Sequence, residues 1–284
     1  VLEWWAVKTR RAAGVYETKD AITSMVMGIG SAVSGLLIGF IAVAGSMFLW
    51  RFRLYELPLT WWSFALAFLV FDFFYYWKHR FMHRMRYWWA THVVHHSSNH
   101  YNLTTALRQP WTNPISGMFI MGAPMILAGW HPAVIGFVGG LNLLYQFWIH
   151  TEAIDKCPRW FEAVFNTPSH HRVHHGRNAR YLDANYAGVL IIWDKMFGTF
   201  VPEIAEDKPD YGLVNRLESH NPFWVAIHEH WALLRDFAKD GLRPDRWVRR
   251  LYNPPGWSPD GNHNGSHEMK AAYLAAHPDQ AGQA

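Results

Sequence analysis

The chain has 284 residues, of which 50% are hydrophobic, 17% aromatic and only 17% charged, with a formal net charge of +4. Soluble domains carry roughly 25% charged residues, so part of this surface faces something other than water. Collagen-like, disordered and disulfide-rich classes are excluded, because the single cysteine, Cys157, cannot close an intrachain disulfide.

Residues 1–20 form a charged N-terminal segment with Lys8, Arg10, Arg11 and Lys19. From Ala21 to Trp50 there are 30 residues without a charged side chain, and about 20 suffice for a helix to cross a bilayer. A second apolar stretch, Leu57 to Trp77, is interrupted only by Asp72. The uncharged run from Gln109 to Thr151 is too long for one crossing, and Trp130-His131-Pro132 divides it into Pro114–Gly129 and Ala133–His150. Four segments in two hairpins are therefore expected. Residues 201–284 have a different texture, with frequent Pro, Asp and His and no spanning segment. Within them Phe223–Lys239 reads as an amphipathic helix lying on the core or at the interface. The stretch from Pro255 onward reads as loosely ordered.

Lysine and arginine placement sets the orientation. The N-terminal segment is basic, and so is the region carrying Lys78, Arg80, Arg84, Arg86 and Arg108, whereas the Trp130–Pro132 turn has no charge. Both termini and the charged loops are expected on the cytoplasmic side. The positive charge reads as attraction to anionic headgroups, and no nucleic-acid-binding motif accompanies it.

Histidine carries the chemistry. Of 18 histidines, 12 lie between His79 and His175. His79 and His83 form H-x-x-x-H; His92, His95 and His96 form H-x-x-H-H; and His171, His174 and His175 repeat H-x-x-H-H. Residues at i, i+3 and i+4 share a helix face, while adjacent residues diverge by about 100° and can serve two neighbouring metals. Eight imidazoles exceed the roughly four ligands of one structural zinc. They suit two metals with open positions, and nitrogen-only ligation favours iron, zinc, copper or nickel. His150, closing the fourth segment, is an additional candidate ligand. His100 and His131 read as surface or turn residues, and His263 and His267 as an accidental pair. His170 stands open between structure and support of a ligand. The expectation is an all-α integral membrane protein of about four transmembrane helices, with a cytoplasmic helical cap holding a histidine-ligated dimetal site. Asp72, Tyr76, His79 and His83 fall on one helical face, and a carboxylate within a membrane segment is a functional candidate. Asp72, Glu152, Asp183 and Asp194 are expected to take N–H bonds from ligand imidazoles, with Asn178 and Asn185 as supporting polar or capping groups.

These motifs resemble the fatty acid hydroxylase/sterol desaturase superfamily of membrane di-iron oxygenases, in order and in topology, over about Asp72 to Phe200. Asp72-Phe-Phe-Tyr-Tyr-Trp-Lys-His79, Tyr101-Asn-Leu-Thr-Thr-Ala-Leu-Arg-Gln109, Trp148-Ile-His-Thr-Glu152 and Asn166-Thr-Pro-Ser-His-His-Arg-Val-His-His-Gly-Arg-Asn178 resemble the alkylglycerol monooxygenase branch most. The resemblance implies that His79, His83, His92, His95, His96, His171, His174 and His175 ligate two irons, and it supports His150. It implies that residues 21–200 are the catalytic domain and that dioxygen inserts oxygen into a C–H bond of an apolar lipid. On an ether-bearing carbon the product is a hemiacetal that breaks into an aldehyde and a free hydroxyl. Carotenoid, sterol or polar-lipid hydroxylation and desaturation fit the same ligands, and a metal-handling membrane protein is the reading from another class. Animal members of the branch are longer, so this chain corresponds to their catalytic core. The sequence carries no haem-attachment, dinucleotide or flavin motif, so electrons are expected from another protein or a small reductant. Tetrahydropterin is one candidate, although Asn99-His100 stand where that branch often has acidic residues.

Overall fold

A computed structural model describes residues 2–278, and among these the ordered elements are helical, with no strand beyond two isolated bridges. In chain order the helices are α1 (Leu2–Lys8), α2 (Thr18–Ile38), α3 (Phe40–Trp50), α4 (Trp61–Arg84), α5 (Arg86–His96), α6 (Ala123–Ala128) and α7 (Pro132–Trp148). Then follow α8 (Arg159–Val164), α9 (Pro168–His175), α10 (Ile192–Met196), α11 (Pro222–Asp240), α12 (Pro244–Tyr252) and α13 (Ser266–Ala276).

Among the described residues α2 alone is long and apolar enough to cross a bilayer by length and composition. Helical bonding carries on past Gly39, since the Gly39 N–H bonds the Gly35 carbonyl and the Val43 N–H bonds that of Gly39. The expected second segment is α4, which runs seven residues beyond Trp77 and so carries the first two histidines on the same rod. The expected third segment is not one helix. Residues 113–128 form two 3₁₀ turns and the short α6, because prolines at 114 and 124 and a left-handed Gly117 (φ 73°) prevent a continuous run. The fourth is α7, begun by Pro132 with the His131 ring nitrogen accepting from the Ala133 N–H.

Helices α4 and α7 run parallel. Phe64 meets Phe137, Asp72 meets Asn142, and Tyr75 meets Gln146, so contacts rise together along both chains. Their C-terminal ends, and with them His79, His83 and His150, therefore arrive at the same end of the molecule. Ala67, Met125, Trp130, Val134 and Val138 form the core between α4, α6 and α7. A second core, of Met27, Val93, Val94, Val225 and Ala226, joins α2, α5 and α11. On the outside, Ile29, Leu36, Leu37 and Phe40 of α2 and α3, and Phe137 and Leu144 of α7, are exposed. That is more apolar surface than a water-soluble monomer usually leaves bare.

The cap is held by buried charge pairs that the sequence reading did not single out. Arg108, nearly fully buried, donates to Asp20 Oδ1 at 2.9 Å and to Ser97 Oγ at 2.9 Å. Ser98 Oγ donates to the other oxygen of Asp20. Arg172 of α9 pairs with buried Glu203 at 2.7 Å and also reaches the carbonyls of Thr151 and Ile154. Arg86 at the start of α5 is clamped by Glu229 and Asp236 of α11 at 2.8 and 2.7 Å. The C-terminal stretch from Pro255, expected to be loosely ordered, contains α13 and returns to the cap. There Ser266 Oγ donates to Asp183 and Lys270 to the Leu182 carbonyl.

Removing one member of a buried ion pair leaves the other charge without compensation. Asp20→Asn should cost about 3–5 kcal/mol, read as a lowered thermal midpoint in detergent, whereas Asp245→Asn, an exposed partner of Arg243, should change it little.

Candidate metal centre

Helices α4, α5 and α9 and one residue beyond α7 supply the histidines. α4 ends at Met85, a single residue in extended conformation (φ −126°, ψ 117°), and α5 starts immediately after it. This reversal turns His92, His95 and His96 back toward His79 and His83. Pro168 at the first position of α9, after an extended Thr167, starts the helix that presents His171, His174 and His175. His150 lies two residues past the end of α7.

All nine expected histidines are buried, and they separate into two groups. His79, His83, His92, His96 and His174 form one; His95, His150, His171 and His175 form the other. Within each group, one ring nitrogen per residue lies within 4.8 Å of all the others. His95 and His96 enter different groups, as do His174 and His175, which is the divergence of adjacent residues on a helix. His170 joins neither group and packs against Phe200. His100 lies in a turn, partly exposed, outside both groups.

Ring tautomers follow from the backbone. Nδ1 of His79 stands 2.8 Å from the Tyr186 carbonyl, that of His150 2.7 Å from Gln146 O, and that of His174 2.9 Å from Ala184 O. Nδ1 of His95 is 3.3 Å from Arg108 O. A carbonyl oxygen only accepts, so each of these Nδ1 atoms carries the proton and each Nε2 is left with a lone pair. His95 Nε2 and His150 Nε2 nevertheless face each other at 3.2 Å. Two lone pairs at that distance repel unless a cation sits between or beside them. Charging the rings is not the remedy, because burial pushes His95 down to about 4. Burial, followed by neighbouring imidazoles, likewise holds His92, His96, His171, His174 and His175 well below 6.5.

The short nitrogen–nitrogen separations recur in both groups: 2.9 Å for His79–His92, 3.1 Å for His92–His96 and 3.1 Å for His150–His171. Metal–nitrogen bonds of about 2.1 Å put two ligands at right angles roughly 3 Å apart. Among the described residues, the buried Nε2 atoms of His83, His174 and His175 have no hydrogen-bond partner. Neutral imidazoles that converge in two groups, several with a free Nε2, are a donor set that fits borderline transition-metal ions.

The carboxylates expected to hold imidazoles divide differently. Only Asp183 faces a ring nitrogen among them, with Oδ1 3.6 Å from His83 Nδ1. Burial works to raise its carboxyl, but His83, Ser266 and Arg84 together hold it below the ordinary range. Asp183 and Asn185 both have φ 54°, a left-handed conformation that Asp and Asn accept more readily than most residues. The Asn185 side chain ties the loop to the His170 and Val201 carbonyls.

Asp72 touches no imidazole among the described residues. It accepts from Asn142 Nδ2 at 2.7 Å, from the Val189 and Leu190 N–H groups at 2.9 Å each, and from Trp193 Nε1 at 3.0 Å. Gly188 allows this approach, because a Cβ there would stand 2.9 Å from Asp72 and 2.7 Å from Asn142. Asp194 accepts from the Tyr186 and Ala187 N–H groups at 2.8 Å each and from Thr199 Oγ1 at 2.6 Å; burial raises its carboxyl to about 6. Asp72 and Asp194 thus hold the loop whose Tyr186 carbonyl orients His79. Glu152 accepts from Tyr211, which stacks on Tyr101, which stacks in turn on His150. Asn178 instead ties Asp207, Lys208 and Asp210 in a surface loop and lies outside the cluster. Gln146, Tyr101 and Tyr186 were missed because their work is done by a carbonyl oxygen or a ring face, which no residue-type motif marks.

Two cavities lie near the histidines, one lined by four of them and one separated from His79 by the Tyr75 ring. One, of about 560 Å³, is lined by His83, His96, His174, His175 and Asp183, with the Pro255–Met269 stretch forming part of its wall. The other, of about 790 Å³, lies between α3, α4, α7 and the 113–126 segment and is mostly apolar. Tyr75 forms part of its wall, with its ring centre 5.6 Å from that of His79.

Residues 64–199 match the fatty acid hydroxylase family, so the chain carries a domain of that family. It is similar to the alkylglycerol monooxygenase of Xenopus tropicalis, 44% identical over 248 residues, covering 84% of this chain and 53% of the relative. The human alkylglycerol monooxygenase is 43% identical over 246 residues, with the same shares. The ornithine lipid hydroxylase OlsE of Rhizobium tropici is 26% identical over 161 residues, 54% of this chain and 46% of the relative. The chain spans about half the length of the alkylglycerol monooxygenases it matches. No solved structure matches.

Asp72→Asn cannot accept all four donors, because one carboxylate oxygen becomes a donor. It should cost about 1–3 kcal/mol of stability, seen as a lower thermal midpoint, and should weaken metal retention through the loop that orients His79. An unchanged midpoint together with unchanged metal content would remove this role.

Proposed function

We propose that this chain is the catalytic core of an oxygen-dependent di-iron monooxygenase embedded in a membrane, and that it cleaves alkyl ethers of glycerol lipids. The facing lone pairs of His95 and His150, both in the Nδ1–H form, carry the metal part of this reading. Similarity over 84% of the chain to alkylglycerol monooxygenases supports the substrate class. Hydroxylation of other polar lipids is the second reading, supported by the more distant ornithine lipid hydroxylase. The metal-handling alternative is disfavoured by the burial of all nine rings and the locked orientation of four of them, since a store or transporter must release its ion.

His79, His83, His92, His96 and His174 would hold one iron, and His95, His150, His171 and His175 the other. When bound, iron supplies, with dioxygen and two external electrons, the oxidising power to replace an unactivated C–H bond by C–OH. The chain's own residues do the rest. Carbonyls of Tyr186, Arg108, Gln146 and Ala184 keep the imidazoles in the ligating tautomer. The apolar cavity beside α4 receives the alkyl chain and sets the ether-bearing carbon near the histidines. Tyr101 and Tyr211 stack over His150 and keep water from that side. The more polar cavity against His96 and His175 is the route for dioxygen and for a small reductant or donor protein, with tetrahydropterin as one candidate. Hydroxylation next to the ether oxygen gives a hemiacetal, which separates into an aldehyde and an alcohol.

α2, α4 and α7, with the bent stretch around α6, would sit in the bilayer, with the histidines and both termini on the cytoplasmic side. The basic cap residues Arg80, Arg84 and Arg86 and the uncharged Trp130–Pro132 turn support that orientation.

Iron measured on detergent-purified protein should be about two per chain. His150→Ala should leave about one, as should the double change His79→Ala/His92→Ala, and each should abolish aldehyde release from a 1-alkylglycerol. Iron well under one per chain that added ferrous iron does not restore would sink the reading.

A further inference from the structure

The apolar cavity contains one charge. Among the residues that line it, Lys78 is the only acidic or basic side chain other than histidine. His131, at the opposite end, already serves as an acceptor for the Ala133 N–H. Lys78 shares a face of α4 with Phe71, Phe74 and Tyr75, at i−7, i−4 and i−3. Its ammonium lies 4.9 Å from the centre of the Tyr75 ring. No hydrogen bond or carboxylate partner accompanies it among the described residues. Tyr75 is itself fixed by its hydroxyl bond to Gln146 at 2.8 Å, so the platform under the ammonium is rigid.

A cation facing an apolar cavity without an anion is costly. Its place along the cavity is informative. The glycine-rich face of α7, from Pro132 through Gly136 and Gly140 to Leu143, forms the far wall and extends about 16 Å at 1.5 Å per residue. α4 and α7 run parallel, so Lys78 stands at the histidine end of this wall and His131 at the other. A single-chain amphiphile would therefore place its tail toward His131 and its head at Lys78. Around the α4 axis Tyr75 lies between Lys78 and His79, and its ring contacts that of His79. The carbon next to the head is then the one nearest the histidines, as cleavage of an ether at that carbon requires.

We infer that the cavity selects an alkyl lipid with an anionic head, a phosphate monoester above all, and that Lys78 is the residue that recognises it. This deepens the proposed function and rests on the cavity being the lipid site.

Binding to the purified chain in a neutral detergent, followed by tryptophan fluorescence, tests it without turnover. Hexadecyl phosphate should bind about tenfold tighter than hexadecanol, the scale of one charge-assisted hydrogen bond. Lys78→Met should erase that ratio while hexadecanol affinity holds, and Lys78→Arg should keep it. Gly140→Leu, where an added Cβ meets nothing within 4 Å, should fill the cavity and weaken both probes. A ratio unchanged in Lys78→Met, with Gly140→Leu still effective, would overturn the lysine's role and return it to anchoring α4 at the interface. No effect of Gly140→Leu on either probe would remove the cavity as the lipid site and take the inference with it. Inorganic phosphate binding as tightly as hexadecyl phosphate would also overturn it, since the chain would then play no part in recognition.

Discussion

Four carbonyl oxygens, of Tyr186, Arg108, Gln146 and Ala184, govern the rest of this molecule. Each takes the Nδ1 proton of a buried imidazole and so points an Nε2 lone pair inward. A protein interior tolerates many neutral imidazoles only when their protons have acceptors and their lone pairs converge on a cation. The helices, loops and buried ion pairs of the cap can be read as the means of fixing those carbonyls. Asp72 and Asp194 hold the peptides around Tyr186, Arg108 is anchored by Asp20, and Gln146 is held through Tyr75 and Asn142.

Two different environments also lie close to the histidines, one lined by four of them and the other meeting His79 through the Tyr75 ring. On the α7 side lies an apolar space bounded by helices whose outer faces are apolar too. On the cap side lies a space bordered by Asp183, Arg177 and Glu229. The two cavities thus differ in polarity and share no lining residue. α13 and the turn before it border the polar space, which gives the C-terminal region a place in the site.

Much of this was legible in the sequence because helix periodicity converts spacing into direction. H-x-x-H-H on a helix has to send its last two rings apart, and the split of His95 from His96 and of His174 from His175 follows from that. The fatty acid hydroxylase resemblance and the helical class were likewise visible in the motifs. Asp72 was conspicuous as a charge in an apolar run, but its partners were not: it binds the backbone of residues 189 and 190, more than a hundred positions away. Asp20 and Arg108 look like ordinary surface charges in sequence, and only tertiary packing buries them together. The hydropathy of residues 114–129 promised one helix, yet prolines and a left-handed glycine broke it, since hydropathy reports burial from water and not backbone geometry. The tail from Pro255 is polar and rich in glycine and proline, which hid the few contacts that dock it.

The histidines of both groups are scattered over the chain between residues 79 and 175, and neither group is complete until α9 has been made. In chain order α4, α5 and α7 precede α9, so its imidazoles are the last to be made. A metal held by either group would therefore gain its last ligands only from α9. A chain ending before His171 would lack one imidazole of the first group and two of the second.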